Sequence, residues 1–341
     1  MIDSATSATP LRWGILSTAR INDEVIPAFD RLSNATLDAV ASRNQDRAES
    51  YAKEKRIPKS YGSYEDLLAD DDIDCVYISL PNSLHASWAE SALKAGKHVL
   101  CEKPLAATAA EAVRLFEVAR ANHRLLMEAF MYRHHPQTAR VKQLIAEGAI
   151  GRLQVIRMSF NFKTSDPASD IRYSAELAGG ALLDVGSYCV SFSTFVMDSA
   201  PLETRGLARI AASGVEEGFV GEMAFDGNVI TVFDCSLYTP LDIGLTAVGE
   251  EGLLHVPTPW YPHKPPQQIR IDVGGRSETI ECPGENAYLL EIDNVCRAVL
   301  GDAELTVSAS ETIRNLDTLD RLAASAGLPR NSESQDEGTS K

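Results

Sequence analysis

No two of the six cysteines in this 341-residue chain are spaced as a metal clip or a CxxC pair. Cys75, Cys101, Cys189, Cys235, Cys282 and Cys296 read instead as small buried hydrophobes in a reducing cytoplasm, and no metal is expected. Long hydrophobic runs are missing too, since none approaches the roughly 20 residues that cross a bilayer. The start, MIDSATSATP, has neither the basic region nor the apolar core of a secretory signal. Positive charge is scarce: 32 Lys and Arg against 48 Asp and Glu give a formal net charge of −16. That argues against nucleic acid and anionic membranes as partners, because holding many phosphates needs clustered cations. One anionic small molecule needs only a local positive site.

What is present is an ordinary globular mixture, 44% hydrophobic and 23% charged, long enough for about two domains. The first part alternates strand and helix signals. Strands are expected at Leu11–Leu16 and Thr36–Ala41, and in DCVYISLP, KHVLCEKP and RLLMEAF. Helices are expected at Asp23–Leu32, Gln45–Lys55 and Thr108–Asn122, and in SYEDLLAD and SLHASWAESALKAG, with a turn at Ile57-Pro58. Such alternation means right-handed βαβ crossovers and a parallel sheet, whose strand carboxyl ends bind ligands. After about Pro136 the pattern changes. A helix ending near Gly148 leads into the alternating strand RLQVIRMSFNF. Strand-like stretches follow at Glu203–Ala211, Glu217–Phe225, Asn228–Leu237, Leu241–Val248 and 268–281, then helices at Asn286–Leu300 and Ala309–Ala326. Strands without intervening helices indicate a mostly antiparallel sheet. The expected fold is α/β: a Rossmann dinucleotide-binding domain over 1–132, an α+β substrate and oligomerisation domain over 133–328, and a disordered tail over 329–341.

LRWGILSTARIND, residues 11–23, stands where a dinucleotide-binding protein keeps its phosphate loop, yet after Gly14 this loop has no glycine. Glycines there serve a tight turn, close approach to pyrophosphate and close helix packing. Ser17, Ala19 and Asn22 fill those places. Ser and Ala permit close approach provided φ stays negative. Ser17 and Thr18 bring hydroxyls for phosphate, Arg20 adds a charge, and the helix after Ile21 offers backbone N–H groups. A plain strand-to-helix turn would read the same; the next strand decides. It ends AVASRN, without the acid that holds the ribose hydroxyls of NAD. Ser42 and Arg43 put a hydroxyl beside a bidentate phosphate donor, which points to NADP over NAD.

Three stretches carry a resemblance: LPNSLHASWAESALKAGKHVLCEKPLA at 80–106, MEAFMYRHHPQ, and GGALLDVGSYCVSF at 179–192. They resemble the family of glucose–fructose oxidoreductase and inositol dehydrogenase (Gfo/Idh/MocA), from Arg12 to about Ala326. The pattern looks most like the branch of dimeric dihydrodiol dehydrogenase and NADP-dependent D-xylose dehydrogenases, which tolerates Ser at the first loop position. Ala19 departs from the usual glycine. The resemblance implies a large open-faced sheet in the second domain, a last helix packed back on the first, and a cis bond before Pro104. It also implies that Tyr188 passes the proton while Lys103 tunes it and binds the substrate oxygen.

The residues agree with that chemistry. Hydride transfer from an alcohol needs a second group for the hydroxyl proton. Lys103 lies just past a strand end between Glu102 and Pro104. Tyr188 follows Asp184 by four residues on an expected helix, so both share one face. A nearby ammonium favours the phenolate and brings a phenol closer to working pH. Asp184 is expected to orient substrate or Lys103, or to pair a buried Arg. Gly179 and Gly180 either let backbone approach the ligand or shape a turn. Pro81, Asn82, His85, Glu102 and Lys103 are expected along the cofactor; Arg133, His135, Phe162 and Arg172 are candidates for the substrate pocket. His134 and His135 stand next in line for the proton, but adjacent residues on a strand-like segment point apart and suggest no metal.

The expected activity is NADP-dependent hydride transfer between a sugar or cyclic vicinal diol and nicotinamide. Reduction of a sugar carbonyl and a catalytically silent NADP-binding sensor are the alternatives; intact Lys103 and Tyr188 argue against the sensor. The mixed alternate residues of RLQVIRMSFNF, Leu153, Val155, Arg157 and Ser159, suggest a face for subunit contact. A homodimer or dimer of dimers joined sheet to sheet is therefore expected.

Overall fold

The computed structural model describes residues 9–261 and 267–328. The expected tail at 329–341 and residues 1–8 lie outside the described residues. Strands and helices alternate from the start: β1 (Leu11–Leu16), α1 (Asn22–Phe29), β2 (Ala35–Ala41), α2 (Gln45–Lys55), β3 (Lys59–Tyr61), α3 (Tyr64–Leu68), β4 (Cys75–Ile78), α4 (Asn82–Lys94), β5 (His98–Glu102), α5 (Ala109–Ala121) and β6 (Leu126–Ala129). The run CVYI of β4 is wholly buried, as a strand covered by helices on both faces must be. Asn44, Ser63 and Thr108 start α2, α3 and α5 by accepting a backbone N–H three residues on. At α5, Glu111 reciprocates in a capping box.

The strands form a parallel sheet in the order β3-β2-β1-β4-β5-β6. Successive crossovers reverse direction between β1 and β4, which opens a ligand crevice at their carboxyl ends. Two expectations need correction. α1 stops at Phe29 and not Leu32, because Arg31 and Leu32 bond back only three residues, in turns. β3, a three-residue edge strand too short to show alternation, lies between the expected turn at Ile57-Pro58 and the helix in SYEDLLAD, where no element was expected.

A 3₁₀ turn (Met131–His134) and α6 (Pro136–Ala146) lead into β7 (Leu153–Lys163). A π-helical turn (Leu182–Gly186) runs into α7 (Ser187–Met197), so Asp184 sits on a π turn where a regular α-helix was expected. Then come β8 (Glu203–Ile210), β9 (Glu216–Phe225), β10 (Val229–Ser236), β11 (Tyr238–Gly249), β12 (Gly252–Val256), β13 (Gln267–Val273), β14 (Arg276–Cys282), α8 (Ala287–Val299) and α9 (Ala309–Ser325). The second sheet runs β14-β13-β12-β11-β7-β10-β9-β8, antiparallel except for the β7–β10 pair.

The period of two along β7 divides the second sheet cleanly. Ile156, Met158 and Phe160 are buried, whereas Val155 and Ser159 are half-buried and Arg157 is exposed. Leu153 is the exception, buried where the β7–β11 register shifts. On the same outer face, Leu207, Val220 and Ile230 are 77%, 55% and 45% exposed. α9 returns to the first domain, where Asp320 accepts from the N–H of Ala109 at the start of α5. α8 goes there too, packing on α1, with Asp293 accepting from Asn34. Neither helix crosses the outer face, which no element among the described residues covers. All six cysteines are free and buried. Among the described residues no helix is long and apolar enough to cross a membrane.

Candidate active site

The loop after β1 replaces glycine by a closed set of neutral hydrogen bonds. Ser17 takes φ 127°, so the expectation of a negative φ fails. Its hydroxyl donates to Ser79 O at 2.9 Å and accepts from Ala19 N at 3.1 Å, so it is not free for phosphate. Ser79 Oγ donates to Asn22 Oδ1 at 2.7 Å, and Asn22 Nδ2 donates to Ser17 O at 3.0 Å. Asn22 and Ser79 thus fasten α1 to the ends of β1 and β4, the job glycine does elsewhere by close packing. Sequence reading had placed Asn22 at the third glycine position without a role and had passed over Ser79.

This loop fits a dinucleotide. The N–H groups of Thr18, Arg20 and Ile21 have no acceptor among the described residues, and α1 has no side-chain cap. Arg20 is exposed, and Thr18, Ala19 and Ile21 are half-buried beside it. At the end of β2, Ser42 is buried and Arg43 exposed. Arg43 reaches the Tyr64 hydroxyl, and Arg47, in the first turn of α2, adds a second cation. Arg47 was missed; its spacing of four from Arg43 at a helix start was the available signal.

Across the crevice, several expected cofactor residues have structural partners. Pro81 opens α4. Asn82 Nδ2 donates to Ala178 O at 2.8 Å, joining the two domains. The His85 nitrogens lie 2.7 Å from Pro104 O and Leu80 O in a buried position, so His85 ties strand ends together. Glu102 meets the Tyr77 hydroxyl, and burial raises its pKa. The Lys103–Pro104 bond is cis.

Lys103, Asp184, Arg172 and Tyr188 converge. Lys103 Nζ donates to Asp184 O at 2.7 Å and Oδ1 at 2.9 Å. Arg172 Nε donates to Asp184 Oδ2 at 2.6 Å, and its NH1 pairs with Asp170 at 3.3 Å. Asp184 thus meets Lys103 and also pairs an Arg, one that is half-exposed where a buried one was expected. Burial alone would raise its pKa, but the two cations prevail and hold it at about 2. Phe162 lies under the Arg172 guanidinium, 5.4 Å from ring centroid to Cζ. Gly179 and Gly180 shape the loop carrying Arg172: a Cβ at Gly179 would collide with Arg172 O, and one at Gly180 with Glu216.

Tyr188 departs from expectation. Lys103 Nζ sits over its ring, 5.2 Å from the centroid, and does not meet its oxygen. Phe130, Tyr132, Phe160 and Trp260 surround the ring at 5.1–6.0 Å. Among the described residues its hydroxyl finds only the Met131 sulfur, at 3.7 Å. Burial raises its pKa well above 10, the opposite of the phenolate expected beside an ammonium.

The remaining pocket candidates lie elsewhere. Arg133 pairs with Glu311 at 2.8 Å and stacks on Phe195, fixing α9. His135 caps α6 by accepting from Gln137 N, fully buried. The His134 side chain is sealed beside Glu291, 3.9 Å away, and burial lowers its pKa to about 3. Neither histidine is placed to take a substrate proton. Among the described residues no group of three or more His, Cys, Asp or Glu is placed for a metal.

Comparison with known proteins matches this geometry to a family. The description "Oxidoreductase family, NAD-binding Rossmann fold" of Gfo/Idh/MocA fits residues 11–130, and that family's C-terminal domain fits residues 138–255. The chain is 35% identical over 319 residues to D-xylose 1-dehydrogenase (NADP(+)) 2 of Haloferax volcanii, covering 93% of this chain and 97% of that protein. It is 32% identical over 276 residues to trans-1,2-dihydrobenzene-1,2-diol dehydrogenase of Xenopus tropicalis, covering 80% and 81%. A 3-ketoreductase from Actinomadura kijaniata, solved with NADP and TDP-benzene, superposes with a TM-score of 0.87 at 31% identity, covering 93% and 98%. With family matches over residues 11–130 and 138–255, the chain belongs to the Gfo/Idh/MocA family of oxidoreductases.

Proposed function

We propose that this oxidoreductase uses NADP to interconvert a hydroxyl and a carbonyl on a sugar or cyclic vicinal diol. The observation that carries the reading is the convergence of Lys103, Asp184 and Tyr188 beside the crevice between β1 and β4. The N–H groups of the β1 loop would hold the pyrophosphate, and Arg43, Ser42 and Arg47 the 2′-phosphate. The nicotinamide, when bound, supplies the hydride half of the reaction. Asp184 holds the Lys103 ammonium at a fixed point from which it polarises the substrate oxygen, and Tyr188 exchanges the proton. Arg172 and Phe162 bound the substrate end. The relatives support NADP and polyhydroxylated substrates, since one carries NADP(+) in its name and another acts on a diol. Steady-state rates with NADP and NAD across aldoses, inositols and diols test this, and a preference for NAD would overturn the cofactor assignment.

A second reading, reduction of a sugar carbonyl, is favoured by the high pKa of Tyr188. A phenol held neutral can hand its proton straight to a nascent alkoxide, whereas oxidation needs that proton removed first. Comparing initial rates in both directions at pH 7 separates the two.

The outer face of the second sheet supports a homodimer or dimer of dimers, because exposed apolar side chains lie along β8, β9 and β10 while α8 packs on α1 and α9 lies against α5, α7 and β8 without covering them. Light scattering coupled to size exclusion decides this: a stable monomer at micromolar concentration would overturn it. Six free, buried thiols support a cytoplasmic setting.

A further inference from the structure

The loop that presents Lys103 is gripped by two buried titratable side chains that take no part in the chemistry described above. Behind it, His85 is 1% exposed and Glu128 fully buried. His85 Nδ1 lies 2.7 Å from Pro104 O, and Glu128 Oε1 accepts from Leu105 N at 3.0 Å. The two contacts fall on the first two residues after Lys103, one on a carbonyl and one on an N–H. His85 comes from the start of α4 and Glu128 from β6, so the loop is held from two sides. Ahead of Lys103, the Glu102 side chain is held by the Tyr77 hydroxyl.

We propose that His85 and Glu128 are positioning residues that fix the Lys103 ammonium in place by gripping the Pro104 carbonyl and the Leu105 N–H. The inference rests on the reading of Lys103 as catalytic. Carbonyl oxygens only accept hydrogen bonds, so a neutral imidazole donates to one of its two carbonyls. Burial lowers the pKa of His85, while the two carbonyls at its nitrogens oppose that shift. The proposal assigns the donated proton to Nδ1, facing the catalytic loop, and leaves Nε2 toward Leu80 O. Burial raises Glu128 to about 7, yet either form of the carboxyl keeps an acceptor for the Leu105 N–H. Neither residue touches the Lys103 side chain. Their influence passes through backbone, where a displacement of about 1 Å costs on the order of 10²-fold in rate.

The test uses the full-length protein and five variants. Glu128→Ala and His85→Leu remove the grips. Glu128→Gln keeps the acceptor, His85→Asn places an amide nitrogen near Nδ1, and His85→Gln places one near Nε2. The removing variants are expected to lose roughly 10- to 100-fold in kcat while the Kd for NADP, from fluorescence titration, changes by less than about threefold. Glu128→Gln and His85→Asn are expected to stay within about threefold of wild type, and His85→Gln to fall with His85→Leu. A second readout needs neither cofactor nor turnover: acetylation of Lys103 in the free enzyme, followed by peptide mass spectrometry against exposed Lys94. Loss of a grip should release Lys103 from Asp184 and raise its relative acetylation rate. Removing variants with unchanged kcat and unchanged Lys103 acetylation would overturn the proposal. So would a kcat loss matched by lost NADP binding with no rescue by Glu128→Gln or His85→Asn, and so would rescue by His85→Gln in place of His85→Asn. Lys103→Ala, measured alongside, keeps the two readings apart. If it turns over normally, the catalytic reading of Lys103 fails, while the acetylation rates still report whether the grip exists.

Discussion

At the carboxyl end of β1, the polar side chains that close the loop are neutral and spent on one another: Ser17, Ser79 and Asn22 form one closed set. At the carboxyl end of β5 the polar residues are charged or titratable, and each is restrained by a partner on another element: Lys103 by Asp184, Glu102 by Tyr77. The difference follows from the two tasks. A pyrophosphate is held well by backbone N–H groups on a rigid turn, so side chains there need only fix the turn. A proton and a developing charge need groups that change state or carry charge, so those groups must be held without being neutralised. Two neighbouring tyrosines repeat the contrast. Tyr132 donates to Ser191 at 2.9 Å and is settled, whereas Tyr188, 5.6 Å away, has only a thioether among the described residues. In the proposed reading, that uncommitted hydroxyl is the one left for a substrate.

The contrast breaks most visibly at Tyr188. Tyr188→Phe keeps the ring and its packing but removes the proton carrier, so turnover should fall by about 10²-fold or more. Tyr132→Phe, the matched control, should cost well under tenfold in turnover and show mainly in stability, since it removes one buried hydrogen bond worth about 1 kcal/mol. Equal losses of turnover in the two variants would mean the proton travels another way.

Glu128 comes next, and its effect is on stability against pH. Burial raises its pKa from 4.5 to about 7. A carboxyl with a raised folded pKa favours the folded state fully below its unfolded pKa, and that contribution is lost as pH rises toward 7. At about 1.4 kcal/mol per unit, the rise from 4.5 to about 7 is worth on the order of 3–4 kcal/mol. Urea unfolding of wild type at pH 4.5 and pH 7.5 should show that decline, and Glu128→Gln should flatten it. A variant with the same slope as wild type would place the titration on another group.

Arg43 tests the other strand end. Arg43→Ala should raise the NADP Michaelis constant about tenfold, the scale of one charge-assisted hydrogen bond, and leave NAD use little changed. Arg47→Ala should do the same more weakly. If NADP and NAD weaken together, the two arginines serve the fold of α2 and not the 2′-phosphate.

Much of this contrast was legible in sequence. The apolar runs CVYI and HVLCE announced strands whose ends carry ligands, and the EKP tripeptide marked Lys103. Periodicity of two along β7 foretold which face of the second sheet is buried. What stayed hidden depends on partners far along the chain. The committed hydroxyl of Ser17 requires Ser79, 62 residues away, and the Tyr188 hydroxyl meets Met131, 57 residues away. Arg133 and His135 looked like pocket residues because they are polar and sit in a recognisable motif. They instead fasten α9 and start α6, where a buried polar side chain needs a partner just as much. Asp184 shows the limit of spacing rules: a π turn carries it, and its position is set by Lys103 and Arg172 and not by helical phase.

The smallest expected effect bears on the missing glycine itself. Ser17 holds φ 127°, where a residue with a Cβ is strained by about 1–3 kcal/mol. Against that strain stand its bonds to Ser79 and Ala19, each worth about 1 kcal/mol net. Ser17→Gly relieves the strain and loses the bonds, so its stability should stay within about 1 kcal/mol of wild type. Ser17→Ala keeps the strain and loses the same bonds, so it should fall about 1–3 kcal/mol below the glycine variant. Urea midpoints of the three proteins at one pH measure both differences. If the alanine and glycine variants match, the serine is not strained, and its bonds alone explain why this loop needs no glycine.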